Sequence, residues 1–205
     1  MSLFPMFVKL DSKLVVVVGG GQIAEGKIEG LLSAGACIRL IAPQINSQIT
    51  EWVRFGKIDW LPKEFAPSDL DGATLVIAAT SAPGVNKAVF DEAESRKMFC
   101  NAVDDIENCH FYYGAIVQRG DLQIAISTNG KSPALAQRIR KELEAAYSIE
   151  HAEWLDWLGA AREVLRSGKS DSEDIKAMLH HLASKESFDR FRRQSRDGVA
   201  EREVA

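Results

Sequence analysis

An uninterrupted apolar run from Leu14 to Val18 is followed at once by three glycines that begin at Gly19. Four of the five residues in the run are valines, and such a run is typical of a strand buried on both faces of a parallel sheet. Helical spacing of apolar residues begins directly afterwards, at Ile23. The pattern Gly-x-Gly-x-x-Ala therefore joins a buried strand to a helix, the context in which it binds the pyrophosphate of a dinucleotide.

Strand and helix patterns continue to alternate as far as residue 103. This alternation predicts a parallel sheet covered by helices, with right-handed crossovers. The predicted strands are 14–18, 38–42, 58–61, 74–79 and 99–103, and the predicted helices are 23–34, 45–55 and 85–96.

The pattern changes after Asp105. Two strand-like segments, 115–119 and 122–127, flank Gly120-Asp121 and predict an antiparallel hairpin. Ser132-Pro133 opens a helix that we expect to reach Tyr147, and only helical patterns follow. We therefore expect an α/β fold with a Rossmann-type domain in residues 1–113, a small α+β segment in 114–147 and a helical domain in 148–205.

Composition excludes several classes of protein. The net charge is -4, without the basic excess that phosphate contacts to nucleic acid require. No apolar run is long enough to span a bilayer, and the first ten residues are too short and mixed for a signal peptide. The three cysteines lack the spacing of a disulfide framework or a zinc site. These features predict a cytoplasmic protein without a nucleic-acid or membrane partner.

The fingerprint also indicates which residues contact the cofactor. Gly19 allows the tight turn, and Gly21 lets the pyrophosphate approach the backbone at the start of the helix. Pro43-Gln44 stands where an acidic residue would hold the ribose hydroxyls, and Arg39 lies too far inside its strand to bind a 2′-phosphate, so NAD is favoured over NADP. Thr80, after the fourth strand, lines the same edge or only forms a turn.

Two further groups are candidates for chemistry. Asp104 and Asp105 end the fifth strand on the cofactor side, where one carboxylate is suited to proton transfer; a solvated turn is the alternative. Cys109 and His110 near them invite a metal-binding interpretation, but no closed ligand spacing supports it, so no metal is expected. Residues 122–141 contain four basic residues and no acidic one, which favours either an anion-binding surface or a solvated helix face.

Several motifs in matching order resemble precorrin-2 dehydrogenase, the dehydrogenase (and in some members ferrochelatase) module of siroheme synthase. The resemblance extends from about Leu3 to Tyr147, and the helices after His151 match only in general character. The motifs are Gly19 to Lys27, Ile41-Ala42-Pro43, Ala78-Ala79-Thr80 with Val85-Asn86, Phe99 to Asp104, and Ile126-Ser127 with Gly130 to Ala136.

The resemblance implies NAD-dependent oxidation of precorrin-2 to sirohydrochlorin by a homodimer built through the hairpin and the helix at Ser132. It implies that Asp104 is catalytic and that Gln22, Ile23, Pro43 and Gln44 contact NAD. The acidic substituents of the substrate explain the basic segment, with Ser127, Thr128, Lys131 and Arg138 as candidate substrate-binding residues. Thr128 stands where relatives have serine, and iron chelation by this chain is left open.

A non-catalytic function is an alternative that predicts the same alternation of strands and helices in the first hundred residues. Rossmann modules that sense NAD and gate a partner need neither Asp104 nor the basic segment. A short-chain alcohol dehydrogenase is excluded, because no Tyr-x-x-x-Lys pair is present.

Overall fold

The computed structural model describes residues 3–168 and 171–203. Leu3–Tyr113 forms one compact unit, and the residues from Gly114 onward form a second. Among the described residues, no helix is both long and apolar enough to cross a membrane.

The first unit contains a five-stranded parallel sheet with helices between the strands. Its elements are β1 Leu14–Val18, α1 Gln22–Ser33, β2 Cys37–Ile41, α2 Ser47–Arg54, β3 Ile58–Leu61, β4 Leu75–Ala78, α3 Pro83–Ser95 and β5 Phe99–Ala102, with short 3-10 helices at Pro67–Leu70 and Ile106–Asn108. The strand order is β3-β2-β1-β4-β5. The chain moves outward from β1 through β2 to β3, then returns to pair β4 on the other side of β1.

Strand β1 is central because both of its faces are buried. Val15 and Val17 pack in a core with α1 and α2, whereas Val16 and Val18 pack in a second core with α3. A strand whose alternate residues enter two cores needs apolar side chains at every position, which explains the unbroken apolar run in the sequence.

Two predicted helix starts were wrong, each by two residues. Helix α2 begins at Ser47 rather than Ile45, because the Asn46 side chain accepts a hydrogen bond from the Ile49 N–H at 3.0 Å and so caps the helix. Helix α3 begins at Pro83 rather than Val85, since proline is favoured in the first turn, where its missing N–H costs nothing.

Among its described residues, the second unit contains the hairpin and four helices. Strands β6 (Ala115–Arg119) and β7 (Leu122–Ile126) pair antiparallel around Gly120, whose φ is 57°. Helix α4, Pro133–Ala146, starts as predicted, with the Ser132 hydroxyl accepting from the Leu135 N–H. Helices α5 (Glu150–Ser167), α6 (Ser172–Leu182) and α7 (Lys185–Glu203) follow. The predicted fold class, a Rossmann-type sheet followed by a hairpin and helices, is confirmed.

Candidate functional site

The carboxyl ends of the parallel strands form one edge of the sheet. The strand order reverses between β1 and β4, and open α/β sheets bind ligands in the crevice at such a switch point. The glycine loop follows β1, Pro43-Gln44 follows β2, Thr80 follows β4 and Asp104 follows β5. The structure thus places all predicted cofactor residues, and the predicted catalytic aspartate, after strands that end at this edge.

The three glycines of the loop are required for different reasons. A Cβ on Gly19 would lie 2.3 Å from the Ala79 carbonyl oxygen, and its φ of 120° disfavours other residues. A Cβ on Gly20 would lie 2.2 Å from the Gln44 carbonyl oxygen. A Cβ on Gly21 would meet no protein atom within 4 Å, and its φ of -90° suits any residue. The fold itself therefore requires the first two glycines, and the open space beside Gly21 fits a ligand.

Helix α1 begins directly beside this open space. Gly21 is its N-cap and supplies no side-chain cap, so the first N–H groups of the helix lack the protein partner that a Ser or Asp cap would give. Gln22 and Ile23, the first two helical residues, are both exposed. Unpaired N–H groups at a helix N-terminus attract anions, and the arrangement suits a pyrophosphate.

The loop after β2 is fixed against the glycine loop by Asn46. Its N–H donates to the Gly20 carbonyl at 3.1 Å, and its side-chain amide donates to Glu25 Oε2 at 2.5 Å. Pro43 and Gln44 are held exposed beside the loop. The sequence interpretation missed Asn46 and Glu25, although Asn46 before a helical pattern is itself a capping signal.

Arg39 is committed to a structural contact. Its guanidinium donates to the backbone carbonyls of Asp69 and Asp71, at 3.1 Å in each case. This engagement agrees with the prediction that Arg39 does not bind a ribose 2′-phosphate.

The half-buried Thr80 is held by Asn86 from helix α3. The Thr80 hydroxyl lies 2.7 Å from Asn86 Oδ1, and the Asn86 amide donates to the Thr80 carbonyl at 3.1 Å. The hydroxyl also accepts from the Ala82 N–H. Thr80 therefore forms the turn before α3, while its position at the edge remains compatible with cofactor contact.

The two adjacent aspartates have different surroundings. Asp105 caps the second 3-10 helix, and its carboxylate accepts from the Asn108 backbone N–H and side-chain amide. Asp104 is exposed and has a φ of 63°, in the left-handed region that non-glycine residues rarely adopt. A backbone strained at a strand end and a carboxylate left without a capping role favour Asp104 as the chemical group.

Lys27 of helix α1 lies near Asp104, and the sequence interpretation did not select it. Its Nζ stands 3.7 Å from the centre of the Tyr113 ring. Burial lowers the pKa of the Lys27 ammonium, and the charge of Asp104 partly opposes this. No sequence pattern indicated the contact, because residues 27, 104 and 113 meet only in the folded chain.

Cys109 and His110 take part in the structure of the β5 connection. The Cys109 thiol donates to the carbonyls of Ala102 and Asp105, at 3.0 Å each. His110 Nδ1 accepts from the Cys100 N–H at 3.0 Å, and its ring stacks on Phe90. Among the described residues, no three His, Cys, Asp or Glu side chains are grouped so that they could hold a metal ion.

The predicted substrate residues belong to the second unit. Ser127 and Thr128 form a polar turn, in which their hydroxyls accept from the N–H groups of Asn129 and Ser132. Lys131 is exposed at the end of this turn, and Arg138 lies exposed on α4, 3.2 Å from Glu142. Arg140 is paired with Glu144 on the same helix, so part of the basic charge that the sequence shows is neutralised locally.

Known proteins resemble the chain in sequence and in structure. It is 39% identical over 167 residues to siroheme synthase 3 of Aeromonas hydrophila and 43% identical over 145 residues to siroheme synthase of Photorhabdus laumondii. These matches cover 82% and 71% of this chain but 36% and 31% of the relatives, so the chain spans about a third of their length. The solved structure of SirC, precorrin-2 dehydrogenase, matches with a TM-score of 0.79 and 27% identity, over 91% of this chain and 92% of that one.

Two family models divide the chain near the boundary of the two units. Residues 119–146 match the model described as sirohaem biosynthesis protein central, and residues 6–115 match the model described as putative NAD(P)-binding. The resemblance read from the sequence and the dinucleotide-binding prediction are confirmed. The match over residues 6–115 covers the whole parallel sheet and more than half of the chain. The protein therefore belongs to the putative NAD(P)-binding family.

Proposed function

We propose that this chain catalyses the NAD-dependent oxidation of precorrin-2 to sirohydrochlorin in siroheme biosynthesis. The observation that carries the proposal is the match to SirC, precorrin-2 dehydrogenase, over nearly the full length of both chains. The match therefore includes the second unit, which a dinucleotide-binding sheet alone does not need.

The cofactor edge fits NAD by its own geometry. The open space beside Gly21 and the uncapped start of α1 suit the pyrophosphate. Gln22 and Ile23 flank it, and Gly19 keeps the turn tight. Pro43 and Gln44 lie where the ribose is held, without an acidic residue, and Thr80 lines the opposite side of the switch point. Bound NAD supplies the hydride acceptor.

Asp104 is the residue to which we assign the proton transfer. Conversion of precorrin-2 to sirohydrochlorin removes one hydride and one proton from the macrocycle. The exposed Asp104 carboxylate accepts that proton as a general base and releases it to solvent. Asp105 is unsuited to this role because its carboxylate is occupied in capping.

The second unit supplies the remaining parts of the proposal. Ser127, Thr128, Lys131 and Arg138 offer hydroxyls and positive charge for the acidic substituents of the tetrapyrrole. We further propose a cytoplasmic homodimer in which residues 114–147 form the dimerisation segment and residues 148–205 a helical domain.

The test is a single anaerobic assay. Purified protein is mixed with enzymatically generated precorrin-2 and NAD, and NADH absorbance is followed together with the spectrum of sirohydrochlorin. Ferrous iron is then added, and spectral change faster than in a protein-free control assigns the chelatase activity as well. Asp104→Asn is the matched variant, since it removes the base without changing size.

We expect NADH and sirohydrochlorin to appear in equal amounts, and Asp104→Asn to form neither while still binding NAD. No NADH from protein that demonstrably binds NAD contradicts the proposal and favours a sensory NAD-binding module. Full activity of Asp104→Asn contradicts only the assignment of Asp104 as the general base and leaves the proposed reaction standing.

A further inference from the structure

Lys27 occupies an unusual environment for a lysine on a surface helix. Its side chain is half-buried, and the ammonium lies over the face of Tyr113 at 3.7 Å from the ring centre. Burial raises the pKa of Tyr113 to about 12, so its ring stays neutral at physiological pH and continues to attract the cation.

The Lys27 ammonium can donate three hydrogen bonds. Among the described residues the Lys27 ammonium forms no hydrogen bond and no ion pair, and the influences on its pKa are burial and the charge of Asp104. By contrast, Lys63 and Lys87 pair with Asp69 and Asp91. Partly buried charges are costly unless they are hydrogen-bonded, and a cation–π contact replaces only part of the lost hydration.

The position of Lys27 bears on the proposed chemistry through Asp104. Asp104 is close enough for its charge to act on the ammonium. A substrate that carries several carboxylates is repelled by a carboxylate base, because like charges a few ångströms apart interact unfavourably. A cation beside the base reduces that repulsion and offers a hydrogen-bond donor at the same place.

We propose that Lys27 binds a carboxylate of the tetrapyrrole substrate beside Asp104, with the Tyr113 ring holding the ammonium in place. This inference rests on the proposed function. It assigns to the first unit a substrate contact of its own. Lys27 is thus a substrate-binding residue, and Tyr113 positions it.

The test compares Lys27→Met, Lys27→Gln and Lys27→Arg with the wild type. Lys87→Met is the control, because Lys87 is an exposed lysine paired with Asp91 on α3. The measurements are KM and kcat for precorrin-2 at saturating NAD, the Kd of sirohydrochlorin from its absorbance change, and the Kd of NAD. Loss of one charge-assisted hydrogen bond predicts a fall of about 10-fold to 100-fold in kcat/KM.

We expect both neutral variants to raise KM and to weaken sirohydrochlorin binding by similar factors, with NAD affinity unchanged. Lys27→Arg should recover part of the loss, and Lys87→Met should behave as wild type. If Lys27→Met does not fold, Lys27→Gln, whose amide tolerates a half-buried position, carries the test.

Two results overturn the inference. The first is an unchanged KM and product affinity in a folded neutral variant. The second is an equal loss of NAD affinity, which would place Lys27 on the cofactor instead. Neither result affects the proposed function, which fails only if the wild type binds NAD without oxidising precorrin-2.

Discussion

The glycine loop makes a prediction in which neighbouring, chemically identical substitutions have opposite effects. Gly19→Ala should destabilise the fold without any ligand, because the new methyl group would lie 2.3 Å from the Ala79 carbonyl oxygen at a φ of 120°. Overpacking costs about 1–3 kcal/mol and a strained backbone about 1–3 kcal/mol more. The free energy of unfolding should therefore fall by about 2–6 kcal/mol.

Gly21→Ala should leave the fold almost unchanged and impair cofactor binding. The new methyl group meets no protein atom within 4 Å and the backbone is extended, so only the poorer capping by alanine acts, at about 1 kcal/mol or less. The same methyl group occupies the space assigned to the pyrophosphate. Loss of one charge-assisted hydrogen bond there corresponds to about 1.5–3 kcal/mol, or roughly 10-fold to 150-fold weaker NAD binding.

Urea unfolding and NAD titration of the same preparations separate the two effects. Gly30→Ala is the control: Gly30 is exposed in α1 with no atom near its Cβ, and alanine there should add about 0.5–1 kcal/mol of stability without changing NAD affinity. A stable Gly21→Ala protein with wild-type NAD affinity would refute the assignment of the pyrophosphate. A Gly19→Ala protein as stable as the wild type would refute the steric argument.

Three further predictions concern the edge of the sheet and the cysteines. Asp104→Gly should abolish sirohydrochlorin formation and yet raise the midpoint of urea unfolding. The reason is that glycine removes the conformational cost, about 1 kcal/mol, of a non-glycine residue at a φ of 63°. A lowered midpoint would show that Asp104 is needed for folding. The pKa of Lys27 is lowered chiefly by burial, so its charge is lost at a less alkaline pH than that of a free lysine, and kcat/KM should fall there as pH rises. Lys27→Arg, which stays charged, should move this alkaline limb to higher pH, and an unmoved limb would assign it to another group. Finally, burial raises the pKa of the Cys100 thiol to about 12. A thiol reagent at pH 8 should therefore label the exposed Cys37 first and Cys100 only after denaturation. Mass spectrometry of the labelled peptides measures this order.

The sequence predicted the architecture because its strongest signals are local. The short, β-branched apolar run bounded by glycines favours a strand buried on both faces, and Ser132-Pro133 marks a helix start by hydrogen bonding and backbone geometry alone. The errors at α2 and α3 are also local. In both cases a capping or proline signal, at Asn46 and Pro83, should have outweighed the spacing of apolar residues.

The parallel sheet, the dinucleotide loop and the edge of the sheet that carries them follow from the sequence alone, since each depends on residues adjacent in the chain. The tertiary structure adds that Asp105 caps a short helix whereas Asp104 is exposed. It also brought Lys27 over Tyr113, 86 residues further along the chain. Contacts of this kind depend on the packing of α1 against the segment after β5. No periodicity records such packing, because the spacing of residues along a chain does not specify which side chains meet across a sheet.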